Sequence, residues 1–244
     1  MKIINLGAER LASEYAAIEI VKAIINKPTT TLGLATGNTM INVYHELVKL
    51  INLNQLNLSS VHTFNLDEYM KLGKGDKESY HSYMYRYLFD HNETWNKDNI
   101  HIPNGKVRDI TEEIKNYETH LSQDGPVDIQ LLGIGENGHI GFNEPGASFD
   151  STTRVVNLTK STLNANRQHF NNEADIPTQA ISMGLKSIMS AQRIILLAFG
   201  EKKREAIQRL VEGEISEDLP ASILHHHPDV EVVVDDEIYK YLNI

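Results

Sequence analysis

Short apolar runs alternate with amphipathic stretches along most of this 244-residue chain. The strand-like runs cover residues 3–6, 31–35, 61–66, 127–133, 192–199 and 230–234. Apolar residues at helical spacing predict helices over 8–26, 39–51, 79–89, 110–122, 182–189 and 201–212. Because strands that alternate with helices form parallel sheets, the pattern predicts an α/β fold. We expect three αβα layers, with a mostly parallel, Rossmann-like sheet and helices on both faces.

The polar stretch from 146 to 178 interrupts this alternation. It predicts loops, an edge strand near 152–157 and a short helix near 160–168, and it is a candidate lid. No linker rich in proline, serine or glycine divides the chain, and no repeat period is present. We therefore expect a single domain over residues 1–244.

Composition narrows the classes of partner. The formal net charge of −10 disfavours binding to nucleic acid or to anionic membranes, both of which need a basic surface. The absence of cysteine excludes disulfides and thiolate metal sites and is typical of a reducing compartment. The N-terminal residues show no signal-peptide pattern, and no apolar run has the length of a membrane span. We expect a soluble, cytoplasmic protein.

The run LLGIGENGHIGFNEPG at 131–146 combines glycines with groups that can take part in chemistry. His139 is a proton carrier near neutral pH, while Asn137, Asn143 and Glu144 supply hydrogen-bond donors and acceptors. The run follows a strand-like segment, so these groups lie at a strand-to-loop junction. It predicts either an active-site loop or a structural loop with a hydrogen-bonded histidine.

A dinucleotide site is one alternative for this loop. Gly133, Gly135 and Gly138 fit the spacing G-x-G-x-x-G directly after the strand-like run. That motif normally opens a helix whose N-terminus holds the pyrophosphate. Here Gly141 and Pro145 interrupt the segment before a helix can form, which disfavours nicotinamide binding.

A second polar turn follows the strand-like residues 31–35. Thr36, Gly37, Asn38 and Thr39 offer amides and hydroxyls at the start of a predicted helix, where unpaired N–H groups and the helix dipole favour an anion. No Walker lysine follows, so the turn suits a phosphate ester better than a nucleotide triphosphate. The alternative is an ordinary N-cap turn, since threonine and asparagine also cap helices.

Asp67 and Glu68 come where the strand pattern of 61–66 stops. Ligands of parallel sheets bind beyond the carboxyl ends of strands, so Asp67 is a candidate base in the same crevice as the two loops. The alternative is that one of these carboxylates caps the next helix or remains solvated.

The motifs LATGNT, NLDEYM and GIGENGHIGFNEPG resemble the signatures of the glucosamine-6-phosphate deaminase family, in the same order and at similar spacing. The resemblance extends from the first strand to the last. It implies isomerisation of an amino aldose to a ketose with loss of the C2 amine, giving fructose 6-phosphate and ammonia. The implied partner is a small molecule, glucosamine 6-phosphate, and no cofactor or metal is implied.

The resemblance also implies roles for four residues. Asp67 would move a proton from C2 to C1 of the open-chain substrate, and His139 would open the sugar ring. Glu144 would hold and tune the imidazole of His139. Asn137 stands where other members of the family carry an aspartate, and our hypothesis is that this amide acts by orientation only.

Two basic residues match family positions near the substrate phosphate. Arg167 could bind phosphate with its guanidinium fork, and Lys203 adds a compact positive charge. The alternative for Lys203 is a solvated lysine at the start of an exposed helix.

Two rival functions remain at this point. A sugar-phosphate lactonase of related fold would also need a phosphate loop and a histidine, but it would hydrolyse an ester and would not require Asp67. A non-catalytic sugar-phosphate sensor would have lost its catalytic groups, whereas Asp67, His139 and Glu144 are present.

Three further features have less direct interpretations. Some family members bind N-acetylglucosamine 6-phosphate between subunits through two basic residues. This chain keeps Arg154 but has Val156 at the second of these positions. We therefore expect no allosteric activation by this compound. The chain is expected to be a monomer or a homo-oligomer. We expect residues 225–227, three consecutive histidines, to pack and hydrogen-bond and not to bind metal. The tyrosines at 80, 83 and 87 predict a buried helix face without a catalytic role.

Overall fold

The computed structural model describes residues 1–159, 162–163, 170 and 176–243. The strands are β1 (Lys2–Asn5), β2 (Thr31–Leu34), β3 (His62–Asn65), β4 (Asp67–Tyr69), β5 (Ile100–His101), β6 (Ile129–Gly133), β7 (Arg154–Asn157), β8 (Gln179–Ser182), β9 (Arg193–Ala198) and β10 (Val230–Val234). The α-helices are α1 (Glu9–Asn26), α2 (Asn38–Leu53), α3 (Tyr80–Tyr87), α4 (Ile110–Asp124), α5 (Leu185–Ile188), α6 (Arg204–Glu212) and α7 (Asp236–Tyr239).

Seven strands form a parallel sheet in the order β1-β10-β9-β6-β2-β3-β5. Its central strands are mostly apolar, and every residue of β10, including Glu231, is buried, as expected for a sheet covered on both faces. Helices pack around it, so the predicted α/β class with a mostly parallel sheet is confirmed.

The order of the strands fixes the position of a binding crevice. From β2 the chain proceeds outward through β3 to β5, whereas from β6 it proceeds the other way through β9 to β10. The direction therefore reverses between the adjacent strands β2 and β6. Ligands of open parallel sheets bind at such a reversal, beyond the carboxyl ends of the strands. The turn at 36–39 and the glycine-rich loop after β6 both begin there.

A smaller antiparallel sheet, β4-β8-β7, lies beside the main one. Its β7 confirms the edge strand predicted near 152–157. The prediction of a helix over 182–189 is wrong at its start, because Ser182 belongs to β8 and the helix begins at Leu185. The helix predicted near 160–168 lies largely outside the described residues.

The other predicted helices are confirmed with small shifts at their ends. The segment 201–212 begins as a 3-10 turn at Glu201–Lys203 and continues as α6. Within the described part of the chain, no helix is both long enough and apolar enough to cross a membrane.

Candidate active site

A cavity of about 560 Å³ lies at the reversal of strand order. Loops from both halves of the sheet line it, together with the start of β4 and one face of α3. Eight of the ten residues given a catalytic or substrate-binding role from the sequence line this cavity: Thr36, Gly37, Asn38, Thr39, Asp67, Asn137, His139 and Lys203. Glu144 contacts His139, and Arg167 lies outside the described residues.

The turn after β2 is built to leave N–H groups available. Gly37 is the residue before α2 and has φ +103°, a conformation that side-chained residues rarely adopt. Among the described residues no side chain caps this helix, so the ordinary N-cap interpretation of the turn is not supported. The N–H of Met40 donates to the carbonyl of Gly37 at 3.0 Å, whereas within the described residues the N–H groups of Asn38 and Thr39 have no partner and remain for an anionic ligand.

Tyrosine hydroxyls hold the carbonyls of the same turn. Tyr44 donates to the carbonyl of Ala35, and Tyr83 donates to the carbonyl of Gly37 at 2.8 Å. These bonds fix the orientation of the peptides of the turn, one from Tyr44 on α2 and the other from Tyr83 on α3. The role of Tyr83 could not be found from sequence, because the bond joins residues 46 positions apart.

Three of the four tyrosines of α3 share one face, as predicted, but that face is only partly buried. Tyr80, Tyr83 and Tyr87 all line the cavity. Exposed cations from the same region, Lys77 and Arg86, also border it and add positive charge that the sequence analysis did not single out. The helical spacing thus identified a face that borders a ligand cavity.

The two carboxylates after β3 have different environments. Glu68 is fully buried and accepts hydrogen bonds from the backbone N–H groups of Tyr69, Tyr80 and His81 at 2.9, 3.0 and 2.9 Å, so it caps α3. Asp67 is 6% exposed and faces the cavity. Burial, followed by repulsion from Glu68, raises the pKa of Asp67 to about 8.

Asp67 lies close to the glycine-rich loop. A Cβ added to Gly141 would lie 3.7 Å from Asp67 Oδ2, and Gly141 is two residues from His139. Among the described residues no hydrogen bond to the Asp67 carboxylate is found. Its oxygens are therefore unoccupied acceptors at the wall of the cavity, in a position to take a proton from a bound ligand.

Glu144 organises the other side of the cavity. Its Oε2 accepts from Asn137 Nδ2 at 2.7 Å and lies 3.2 Å from His139 Nδ1. Its Oε1 accepts from the hydroxyls of Thr159 and Thr162. Burial alone would raise the pKa of Glu144, but hydrogen bonds and the charge of the histidine lower it to about 2. The carboxylate is therefore ionised and well placed to stabilise an imidazolium.

Close backbone approach positions the imidazole of His139. A Cβ on Gly135 would lie 2.3 Å from the ring carbon Cε1, so only glycine fits beside the ring. Gly135 N–H also donates to the carbonyl of His139 at 2.9 Å. The loop contains no helix after β6, as expected from its glycines and proline, and the dinucleotide interpretation is not supported.

Asn143 has a structural role within this loop. It is fully buried, donates to the carbonyls of Ile140 and Met183, and accepts from Arg154 at 2.9 Å.

Thr162, which the sequence analysis missed, reaches both Glu144 and the cavity. Its signal is non-local, since 18 residues separate it from the carboxylate that it contacts.

Lys203 is half-buried at the cavity, unlike its exposed neighbour Lys202. Burial lowers its pKa, while the charge of Glu136 opposes that shift. The alternative of a fully solvated surface lysine is therefore not supported.

Within the histidine run at 225–227, His227 is buried, as expected, whereas His225 and His226 are exposed. His225 and His227 bond to the carbonyls of Leu210 and Ala191 at 2.6 and 2.7 Å. Within the described residues these histidines do not form a cluster suited to a metal ion.

Comparison with known proteins places this arrangement in a family. Residues 7–234 match the family described as glucosamine-6-phosphate isomerases/6-phosphogluconolactonase. The chain belongs to this family. Among members of the glucosamine-6-phosphate isomerase/6-phosphogluconolactonase family, a glucosamine-6-phosphate deaminase of Staphylococcus haemolyticus is 60% identical over 99% of this chain and 100% of its own length. One of Staphylococcus epidermidis is 56% identical over 97% of this chain and 98% of its own length.

Solved structures of the family agree with the fold. A monomeric glucosamine-6-phosphate deaminase superimposes with a TM-score of 0.95 at 43% identity, over 98% of this chain and 99% of its own. A 6-phosphogluconolactonase from Thermotoga maritima gives a TM-score of 0.76 at 17% identity, over 96% and 99%. The second likeness concerns the fold alone.

Proposed function

We propose that this chain is a glucosamine-6-phosphate deaminase, which converts glucosamine 6-phosphate and water to fructose 6-phosphate and ammonia. The observation that carries the proposal is a buried carboxylate, Asp67, which has no hydrogen-bond partner among the described residues and shares one cavity with the His139–Glu144 pair. The relatives of 54–60% identity that bear this name support it. We further propose that the enzyme works in the cytoplasm, in line with its lack of cysteine.

Ring opening is assigned to His139. Because Nδ1 faces Glu144, Nε2 is the atom that exchanges a proton between the ring oxygen and the anomeric hydroxyl. The ionised Glu144 stabilises the imidazolium, and Asn137 and Thr162 hold that carboxylate in place. The product of this step is the open-chain amino aldehyde.

Asp67 is assigned the isomerisation. Its ionised carboxylate takes the proton from C2, giving an enolamine, and returns it to C1. The electron pair of the C2–H bond forms the C1–C2 double bond while the C1–O π pair moves onto O1, which takes a proton from solvent. When C1 is protonated, the C1–C2 π pair forms the C1–H bond and the nitrogen lone pair forms the C–N double bond of an iminium at C2. The proton that O1 takes is balanced by the proton that is released when water adds. Water adds at C2 and ammonia departs, so the amine is replaced by the ketone oxygen. A carboxyl group with a raised pKa suits a role in which it must both accept and donate the proton.

The phosphate is assigned to the turn at 36–39. The first-turn N–H groups of α2 and the side chains of Thr36, Asn38 and Thr39 supply donors, and Lys203 supplies charge. Arg167 remains a candidate for the same group from the family resemblance. This division places the reacting carbons between Asp67 and His139.

The experiment is an assay of ammonia release, coupled to a dehydrogenase, with glucosamine 6-phosphate as substrate. Galactosamine 6-phosphate and 6-phosphogluconolactone serve as comparison substrates. We expect ammonia from the glucosamine compound, and we expect Asp67→Asn to lose most of the rate, about 10²-fold or more, while it still binds a phosphate ester. If the wild type releases no ammonia, and both the wild type and Asp67→Asn hydrolyse the lactone, the result would instead support the lactonase. Phosphate-ester binding without either reaction would support the sensor.

We propose that the enzyme has no allosteric site for N-acetylglucosamine 6-phosphate. Arg154 is engaged by Asn143 Oδ1, and Val156 packs against a small apolar cluster. We expect a hyperbolic dependence of rate on substrate, unchanged by the acetylated sugar phosphate. A sigmoidal curve that this compound converts to a hyperbola would contradict the prediction, whether the chain is a monomer or a homo-oligomer.

A further inference from the structure

Three side chains with metal-ligating atoms meet at the edge of the main sheet, outside the cavity. His62 begins β3, His101 ends the edge strand β5, and Asp124 ends α4. One ligand atom of each lies within 4.8 Å of the others. None of the three lines the active-site cavity, and His62 lies at the opposite end of β3 from Asp67. The three positions are 39 and 23 residues apart in sequence, which is why no sequence motif marks the cluster.

The ligand atoms converge without bonding to one another. His62 Nδ1 and His101 Nε2 are each 3.5 Å from the same atom, Asp124 Oδ2. Both nitrogens are buried, and within the described residues neither has a hydrogen-bond partner. Buried polar atoms are nearly always satisfied, so two such nitrogens facing one carboxylate oxygen require an explanation. A cation between the three atoms would satisfy all of them.

The separations match the size of a transition-metal site. Ligand atoms that lie about 2.0–2.2 Å from a tetrahedral zinc ion are roughly 3.3–3.5 Å apart. The two nitrogen–oxygen separations are 3.5 Å. Two imidazoles and one carboxylate are a donor set for zinc-like ions, since magnesium and calcium prefer oxygen ligands throughout.

Neighbouring rings hold His101 in this orientation. Its Nδ1 lies 3.3 Å from His120 Nδ1, so a hydrogen bond between the rings leaves Nε2 directed at Asp124. Phe64 stacks on the other side, with ring centroids 4.4 Å apart. A ligating histidine is commonly fixed through its second nitrogen in this way.

We propose that His62, His101 and Asp124 bind one divalent ion of the zinc class, at a structural site separate from catalysis. The side chains of His62 and Asp124 are 27% and 29% exposed, so water reaches the ion and completes its coordination. The ion ties β3 and the edge strand β5 to the end of α4. It therefore stabilises the folded chain in proportion to its occupancy.

The test begins with treatment of the full chain with a chelator, which is then removed. Zinc is titrated into the metal-free protein, with calorimetry to measure the affinity and thermal unfolding to measure Tm. We expect one high-affinity zinc ion per chain, a rise in Tm with zinc, and a d–d spectrum with histidine ligation when cobalt(II) is used. Asp124→Asn and His62→Gln should each weaken binding by at least tenfold and abolish the rise in Tm. Asp124→Asn leaves the backbone carbonyl of residue 124 to accept from Thr31 as before.

His45→Asn is the matched control. His45 Nδ1 also lies 3.5 Å from a carboxylate oxygen, that of Glu46, but within the described residues no second imidazole joins them. This variant should bind zinc like the wild type. Equal zinc affinity in the wild type, Asp124→Asn and His62→Gln would overturn the proposal, as would an equal loss in His45→Asn. Circular dichroism of each variant before titration shows whether the variant is folded, so that loss of the zinc site can be told from loss of the fold. If one of the two cluster variants does not fold, the other is compared with the wild type.

Discussion

Asp67 and Glu68 show how adjacent residues of the same charge take different tasks. The antiparallel pairing of β4 with β8 turns alternate side chains to opposite faces, so one carboxylate meets the start of α3 and the other meets the cavity. Glu68 is compensated by three backbone N–H groups. Asp67 has no such compensation among the described residues, so its ionised form is costly to the folded state.

We predict that Asp67→Asn stabilises the protein at alkaline pH while it abolishes activity. The pKa of Asp67 is raised to about 8 in the folded state, against about 3.9 when unfolded, so the folded state binds more protons between these values. Wild-type stability therefore falls as pH rises from 4 to 8, and the asparagine variant lacks this loss. The gain should be near zero at pH 4 and on the order of a few kcal/mol at pH 8.

Urea unfolding at pH 4 and pH 8 measures this difference. Asp76→Asn is the control, because the ion pair with Lys106, together with other contacts, lowers the pKa of Asp76 in the folded state. That substitution should cost a little stability at pH 8, the opposite sign. A gain for Asp67→Asn that is the same at both pH values would show that the charge of Asp67 is not the cause.

We predict that Asn137→Asp keeps activity and adds an acidic limb to the pH dependence of kcat/KM. Asn137 Nδ2 donates to Glu144 Oε2 at 2.7 Å, so the substitution places two carboxylates at that distance. Such a pair shares a proton and titrates at a raised pKa. The limb is measured by steady-state rates from pH 4 to 9, with Asn137→Ala as the variant that loses orientation without a new charge. Complete inactivity of a correctly folded Asn137→Asp would refute a purely orienting role for the amide.

At the scale of elements, the phosphate turn depends on a helix that is distant in sequence. Tyr83 on α3 bonds to the carbonyl of Gly37, which directly precedes α2. The contact holds the turn in the conformation in which the N–H groups of α2 face the cavity. Pre-organisation of this kind lowers the cost of binding the ligand.

We predict that Tyr83→Phe raises KM about three- to tenfold and changes kcat less, because one hydrogen bond of about 1 kcal/mol is lost from a binding element. Inhibition by inorganic phosphate should weaken by the same factor. Tyr87→Phe is the matched control: Tyr87 lines the same cavity, and within the described residues no hydrogen bond to its hydroxyl is found. A loss confined to kcat, or an equal effect of Tyr87→Phe, would mean that Tyr83 does not act through the turn.

Six of the seven strands of the main sheet were predictable because each carries its own apolar run, whereas the two-residue strand β5 is too short to carry one. The segment at 179–189 was not, since Ile181, Leu185 and Ile188 have helical spacing although Ile181 lies in β8. Pairing of β8 with strands on both sides overrides that local pattern. Site residues at the ends of strands were predictable from their position. Thr162 and Tyr83 were not, because their contacts join distant segments.

At the scale of the whole molecule, a helix and two strands that are distant in sequence are joined by interactions that no local pattern reveals. Arg193 on β9 bonds to Glu19 on α1 at 2.6 Å and to Glu231 on β10 at 2.7 Å. The partners are 174 and 38 residues away from the arginine. This network fixes α1 against the strands that carry one wall of the crevice, so its integrity concerns the stability of the whole fold.

We predict that Arg193→Met destabilises the protein by roughly 2–4 kcal/mol at pH 7. Removal of the arginine leaves two carboxylates, each about 10% exposed, without their main partner, which is the costly way to disrupt a buried ion pair. The value lies below the full cost of a buried pair because the arginine side chain is itself 22% exposed. Burial raises the pKa of Glu19, but hydrogen bonds from Lys22 and Arg193 lower it overall. Stability from this pair is therefore present above the unfolded value near 4.5 and is lost as pH falls through the lower folded value.

Urea unfolding at pH 7 and pH 3 checks the prediction, and the deficit of Arg193→Met should narrow at pH 3, because the pH has then moved from the unfolded pKa of Glu19 towards its lowered folded value. Arg10→Met is the control, since Arg10 pairs with Glu14 on the exposed face of the same helix and its removal should cost less than about 0.5 kcal/mol. If both substitutions cost the same, or if the deficit of Arg193→Met is unchanged at pH 3, the network contributes packing and not charge. The alkyl stem of methionine preserves most of the packing, so a large, pH-dependent deficit isolates the electrostatic link between α1 and the sheet.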